Sequence, residues 1–389
     1  MSFADNDAVP AIPNLDLPQS VFVLQQSSLS HLHASARTTL LEGINKDEMA
    51  PYALSLPSSI LSSSDKDALV GALQPRNSKV VEDIHTAIKK AEEEEGESEI
   101  SDNLRKLAIH YVRIGDKEQA LPAISKAIEK TAGVGHKIDL NLLLIRLGLF
   151  SNDHKLITQH IAAAQTLVDQ GGDWDRRNRL KVYVGLYALM VRDFNKATTQ
   201  FLDTLSTFTC YELIDYDQFI IYTVITSLLT LDRVELKKRI LESPEVVGLM
   251  HHNTLIKNFA NSLYECDYAL LFRSLAGVEE THLLPSRYWN GHARFYSREI
   301  RIRAYSQLLE SYKSLNITHL ANTFGVSDEF VHKEFSKLIP AGRLNCTLDA
   351  VANVVQSSRK DDRVGSYQNV VSNGDVLLNS IQKLARVLN

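Results

Sequence analysis

Five aspartates recur along the middle of the chain at separations of 37, 40, 39 and 35 residues: Asp116 in RIGDKEQAL, Asp153 in FSNDHKLI, Asp193 in MVRDFNKA, Asp232 in LTLDRVEL and Asp267 in YECDYALL. Four residues before each stands Val112, Leu149, Leu189, Leu228 or Leu263; four after, Ala120, Ile157, Ala197, Leu236 or Leu271; eight after, Ile124, Ile161, Phe201, Ile240 or Leu275. All fifteen are apolar. Residues four apart share one face of a helix, and an aspartate at a helix start accepts from the N–H groups that the first turn leaves free. The pattern therefore predicts a helix ending before each aspartate and another beginning at it. A helical hairpin of this size cannot bury its apolar faces alone, so successive hairpins stack into an α-solenoid.

The first unit, LAIHYVRIGDKEQALPAISKAIEK, looks like a tetratricopeptide (TPR) repeat, with Gly115, Ala120 and Ala127 as the small residues that let helices approach. Residues 100 to about 280 thus read as a right-handed, TPR-like superhelix. The first 75 residues are punctuated by prolines at 10, 13, 18, 51, 57 and 75 and by serine clusters, which predict short helices and loops. Helical spacing from Asp65 to Glu95 ends in KKAEEEEGESE, an acidic run expected on a solvated helix end. After THLLPSRYWNGHA comes a long helix from about Arg294 to Leu315. A short helix (Ile317 to Phe324), a tight turn at Gly325, a second helix (Asp328 to Ile339) and two alternating stretches (Arg343 to Leu348, Val351 to Val355) then follow the winged-helix plan. A polar linker, SSRKDDRVGSYQN, leads to a terminal helix in which Leu377, Ile381, Leu384 and Leu388 form a narrow apolar stripe. Such a helix either folds back on its own domain or is buried in a partner.

Function classes can be narrowed by charge and motif. The formal net charge of −5 and pI near 6.2 provide no polycationic field for nucleic acid or anionic lipid. The predicted second helix of the winged helix, DEFVHKEFSKLI, sets Asp328, Glu329 and Glu334 against Lys333 and Lys337, which opposes a DNA backbone as much as it attracts one. Arg294, Arg298 and Arg301 fall at i, i+4 and i+7, a basic stripe suited to an acidic partner or RNA, although Glu299 and Glu310 interrupt it. Cys210, Cys266 and Cys346 are isolated and fit a reducing compartment. No stretch approaches eighteen uninterrupted apolar residues, and the N-terminus lacks a signal-peptide pattern, so a cytoplasmic and nuclear location without membrane attachment is expected. Nucleotide, zinc-protease and serine-hydrolase motifs are absent from the sequence. His31 and His33 form one H-x-H pair without a carboxylate at ligand spacing, and neighbouring His251 and His252 point to different sides of a helix. Neither predicts a metal centre. GGDWDRRNRLKVYVGLY (residues 171–187) mixes glycine with cations as phosphate loops do, but lacks a preceding strand. It reads as a hairpin seam: Gly171 and Gly172 end one helix in left-handed geometry, Asp173 caps the next, and Arg176, Arg177, Arg179 and Lys181 need carboxylate partners.

GGDWDRRNRLKVYVGLY, taken with RIGDKEQAL, FLDTLSTFTCYELIDY, SLYECDYALLF, RIRAYSQLLESYKSL and AGRLNCTLDAV, closely resembles the proteasome-lid non-ATPase subunits of the PCI family over roughly residues 45–389. The resemblance implies a mostly α chain in which a TPR-like solenoid runs into a winged-helix (PCI) module and a C-terminal helix. It implies a non-catalytic scaffold of the 26S regulatory-particle lid acting in ubiquitin-dependent degradation, with no cofactor and no small-molecule substrate. Its partners would be other PCI lid subunits and ATPase or core subunits. The winged helix would meet its neighbours edge to edge, and the C-terminal helix would join a bundle. Scaffolds of the signalosome or of a translation initiation factor complex share that plan; a nucleic-acid-binding winged helix and a metal-dependent hydrolase are readings from other classes. The expected division is an N-terminal extension at 1–98, the solenoid at 99–290, a long helix plus winged helix at 291–358, and a linker with the bundle helix at 359–389.

Overall fold

The computed structural model describes residues 9–61, 63–93, 96–358 and 362–388, with the backbone alone for Ser63, Asp65, Asp362, Val387 and Leu388. Its helices are α1 (Asp16–Gln25), α2 (His33–Lys46), α3 (Ala50–Ser55), α4 (Ser63–Glu93), α5 (Glu97–Arg113), α6 (Lys117–Lys130), α7 (Val134–Ser151), α8 (His154–Gly171), α9 (Trp174–Met190), α10 (Phe194–Thr204), α11 (Tyr216–Thr230), α12 (Arg233–Leu236), α13 (Pro244–His252), α14 (Thr254–Glu265), α15 (Tyr268–Val278), α16 (Ala293–Ser311), α17 (Ile317–Phe324), α18 (Asp328–Leu338) and α19 (Asp362–Leu388). Three strands, β1 (Ser314–Asn316), β2 (Cys346–Asp349) and β3 (Val354–Ser357), complete it. The chain forms two compact units: the described residues up to Ala260 with Ala276–Tyr296, and Asn261–Leu275 with Ser297 onward.

The aspartate pattern builds the hairpins, and fourteen of its fifteen apolar positions are buried. Ile161 is half-buried. Asp116, Asp153, Asp193 and Asp267 cap as expected, accepting from the N–H of Gln119 (3.1 Å), Leu156 (3.3 Å), Lys196 (3.1 Å) and Leu270 (3.1 Å). Asp232 stands at its helix start without a side-chain cap, and there the second helix breaks into α12, a π turn at Lys237–Leu241 and α13. Within the first unit, the leading helices α7, α9 and α11 are buried almost all round, whereas α6, α8 and α10 bury one stripe each. A helix apolar on every side belongs inside, and a striped one belongs at the surface. Small residues set the spacing: a Cβ on Gly185 would lie 2.6 Å from the Phe201 ring, and one on Gly115, whose φ is +76°, 3.0 Å from Tyr52 Cβ.

The segment Arg287–Tyr296 runs along the solenoid as a spine. Arg287 donates to the Leu149 carbonyl, His292 Nε2 lies 2.8 Å from the Met190 carbonyl, and Tyr296 OH donates to the Ile225 carbonyl at 2.8 Å. These carbonyls belong to α7, α9 and α11. Leu149 and Met190 lie in final turns, whose carbonyls have no partner within their own helix. Trp289, fully buried, stacks on Phe194 at 5.4 Å.

Proline proves a weaker boundary signal than expected, because Pro75 lies inside α4. The carbonyl it frees is on exposed Gly71, which is open to solvent. At the other end, α19 begins at Asp362, so most of the expected linker is helix. Residues 359–361 of that linker lie outside the described residues.

Candidate protein-contact surfaces

The second unit follows the winged-helix plan closely. Asn316 caps α17, accepting from Thr318 N–H at 3.2 Å; Gly325, at φ +65°, ends it; Ser327 caps α18, accepting from Phe330 N–H at 3.3 Å. The wing is β2 against β3, and β1 pairs with β3 on the other side, giving an antiparallel order β1-β3-β2. The sequence reading missed β1. SLN is too short to announce itself, and only the Leu315–Val355 pairing makes it a strand. An aromatic cluster holds the unit: Phe324 lies 4.9 Å from Tyr268, 5.0 Å from Phe272 and 4.8 Å from Tyr305, and Phe335 is 5.1 Å from Tyr305.

The arginines expected to form a basic stripe have separate engagements. Arg294 is exposed. Arg298 lies 3.5 Å from Glu299, which also pairs with Arg343. Arg301 donates its Nε to Glu334 at 3.0 Å, and Tyr305 OH donates to the same carboxylate at 2.6 Å. Burial and the Glu334 charge hold the Tyr305 hydroxyl well above its usual range. Glu334 is thereby removed from the exposed face of α18, leaving Asp328 and Glu329 against Lys333 and Lys337. These charges balance, which does not favour a phosphate backbone. With Asp328, Glu329 and Lys333, the residues Ile317, His332, Ser336 and Asn353 line a shallow hollow of about 570 Å³.

The 171–187 stretch is a seam, with two corrections. Gly171 alone has positive φ, +147°, whereas Gly172 is extended and is needed for room: a Cβ there would lie 2.8 Å from Val168 Cα. Asp173 makes no cap bond and instead pairs with Arg176. Three of the four cations find carboxylates, and Arg177 finds none among the described residues. Arg176 grips Asp139 of α7 with two bonds of 2.9 Å, Arg179 lies 2.9 Å from Asp175, and Lys181 lies 3.1 Å from Asp203. Its hydrogen bonds to Asp139 raise the Arg176 pKa, and Gly135 leaves space for the guanidinium. The Arg176–Asp139 pair ties one hairpin to the next, Lys181–Asp203 joins the two helices of one hairpin, and charges so occupied do not form an open anion cradle. His33 Nε2 lies 3.0 Å from the Gln26 carbonyl, and among the described residues no cluster of three or more His, Cys, Asp or Glu is placed to hold a metal. Among them, too, no helix is long and apolar enough to cross a membrane.

Helix α19 differs from everything else. Every described side chain from Ser366 to Arg386 is exposed. Leu377, Ile381 and Leu384 are 63%, 57% and 60% exposed, and the Leu388 side chain lies outside the described set. With the helix starting at Asp362, the stripe lengthens to Tyr367, Val370, Gly374, Leu377, Ile381, Leu384 and Leu388, at +3, +4, +3, +4, +3, +4. Val364, Val371, Leu378 and Ala385 add a neighbouring column at +7. The signal was present in the sequence, since Tyr367 and Val370 continue the same spacing backward into what read as a polar linker.

Relatives match the chain over nearly its whole length. The chain is 40% identical over 379 residues to the "26S proteasome non-ATPase regulatory subunit 6 homolog" of Arabidopsis thaliana, covering 97% of each. It is 35% identical over 399 residues to the "26S proteasome regulatory subunit RPN7" of Saccharomyces cerevisiae, covering 96% of this chain and 93% of that one. The chain belongs to the Rpn7 family of 26S proteasome regulatory subunits. The model for "26S proteasome subunit RPN7" matches residues 66–239, within the first unit. The PCI domain matches residues 265–359, and the "26S proteasome regulatory subunit RPN7/PSMD6 C-terminal helix" residues 367–388. That last match begins and ends on the first and last residues of the α19 stripe.

Proposed function

We propose that the chain is a non-catalytic, architectural subunit of the 26S proteasome regulatory-particle lid, serving ubiquitin-dependent protein degradation by holding other lid subunits in place. The observation that carries this reading is α19, whose apolar columns span three heptads in water. Each Leu or Ile withdrawn from water contributes about 1.5–3 kcal/mol, so the helix gains most by entering a partner. Its three-column face is wider than the seam of a two-stranded coiled coil and suits a bundle in which it touches more than one neighbour. Leu377, Ile381, Leu384 and Leu388 make that contact. The winged helix supplies lateral contacts to other PCI subunits, and the solenoid braces against ATPase or core subunits; Arg294, Arg298 and Arg301 are offered to a partner. The complex works in cytosol and nucleus, without nucleic acid, membrane or small-molecule substrate. The names of the relatives and the C-terminal helix match favour the proteasome over the signalosome or an initiation factor complex, and the balanced charges on α18 speak against DNA recognition.

The test is a chain carrying Leu377→Asp and Leu384→Asp. Its circular dichroism should match the parent while proteasomal ATPase and core subunits no longer copurify with it. Normal incorporation of the doubly substituted chain defeats the proposal, as does copurification of the parent with ribosomal or cullin-ligase proteins instead.

A further inference from the structure

The stretch 9–25 crosses the first unit and is fastened to it at two places. The carbonyl of Pro10 accepts from Arg146 Nη1 at 2.9 Å. Arg146, on α7, is only 5% exposed, so this carbonyl partners one nitrogen of a guanidinium that water barely reaches and whose Nε has no hydrogen-bond partner among the described residues. Ile12 then packs on the apolar cluster that α5, α6 and α7 build from Val112, Ile124, Leu143 and Leu147 among others. On α1, Gln19 clasps the backbone at the entry to the spine. Its Nε2 donates to the Pro285 carbonyl at 2.5 Å, and its Oε1 accepts from Arg287 N–H at 3.0 Å. One primary amide thus saturates both a donor and an acceptor of the chain that, through Arg287, also reaches the end of α7.

What α1 rests on differs between its two sides. Against α2 the fit is close, since a Cβ on Gly43 would come within 2.4 Å of Leu17 Cδ2. Beneath its other side lies a cavity of about 150 Å³ lined by Leu15, Asp16, Gln218, Tyr222 and His282 among others. The hollow is partly open, so close packing is interrupted on that side and the directional hydrogen bonds of Gln19 carry the attachment there. We propose that residues 9–25 are a conformational strap. While Gln19 is engaged, it fixes the spacing between α7 and the spine; when the clasp opens, α1 lifts from the cavity and that spacing relaxes. The role is separate from that of α19 and independent of it.

The experiment uses the full chain with Gln19→Ala and Gln19→Met, the second keeping the volume of the side chain while removing both hydrogen bonds. Amide exchange in residues 16–25 and 279–289 should accelerate about tenfold in both variants, because the local opening no longer breaks the clasp, while α9 and α10 change less than about twofold. Spin labels at exposed Lys155 and Glu280 should report a broader distance distribution in both. Unchanged exchange in both segments overturns the strap. So does a uniform rise across the whole unit, which would make Gln19 an ordinary stability residue, or parent-like behaviour of the Met variant, which would make packing the attachment.

Discussion

Helices α7 and α19 have in common recurring apolar residues and few charges on one face, yet α7 buries nearly every residue from Ile138 to Phe150 while no described side chain of α19 beyond Gly365 is less than exposed. The difference lies in what surrounds each. α7 has α6, α8 and α9 against it within its own chain; the described apolar columns of α19 lie exposed, and under the proposed function another polypeptide covers them. Apolar periodicity therefore records that a face is to be covered and leaves open who covers it.

The largest contrast is expected from truncating each surface. Phe201→Ala should cost about 3–5 kcal/mol, because Phe201 is fully buried and meets both Phe219 and the space left by Gly185, so its loss leaves a cavity. Leu384→Asp should shift the stability of the isolated chain by no more than about 0.5 kcal/mol. Urea denaturation of both variants sharpens the comparison, and comparable losses would break it.

Acid should probe the solenoid next. Burial lowers the pKa values of His110, His160 and His282 below the ordinary value of 6.5. The folded state then binds fewer protons there than the unfolded state, so stability is full above about pH 6.5 and declines as pH falls through the folded values. Thermal melts should drop by several degrees between pH 7.5 and 5.5. Replacing His160 by Gln, which can still donate toward Asn141 Oδ1, 3.0 Å from the ring, should reduce that drop. A melting temperature flat over this range would contradict the burial assigned to these rings.

The smallest effect separates two aspartates of one sequence pattern. Asp193→Ala removes the bond to Lys196 N–H and should cost about 1 kcal/mol, whereas Asp232→Ala, without a side-chain cap to lose, should cost a few tenths. Equal losses would mean that the π turn after Asp232 conceals a cap.

Much of the fold was legible from local rules. The aspartate pattern, the glycine at Gly325 and the edges of α17 and α18 all follow from capping and periodicity, which act within a turn or two of the chain. β1, the true start of α19 and the break after Asp232 were not, because each depends on a distant partner or a weak local preference. The contact surfaces divided the same way. The Leu377, Ile381 and Leu384 stripe stood in the sequence, but the Arg301 partnership with Glu334 is made across the fold of the second unit, where no spacing rule reaches.

By itself, then, the sequence determined which faces are apolar and where helices begin, since helix propensity, capping and side-chain direction are properties of neighbouring residues. Only the tertiary structure decided which of those faces are already satisfied. Whether Gln19 closes on Pro285, Arg176 finds Asp139 or Leu384 stays exposed depends on the positions of groups far away in the chain, and those follow from packing as a whole.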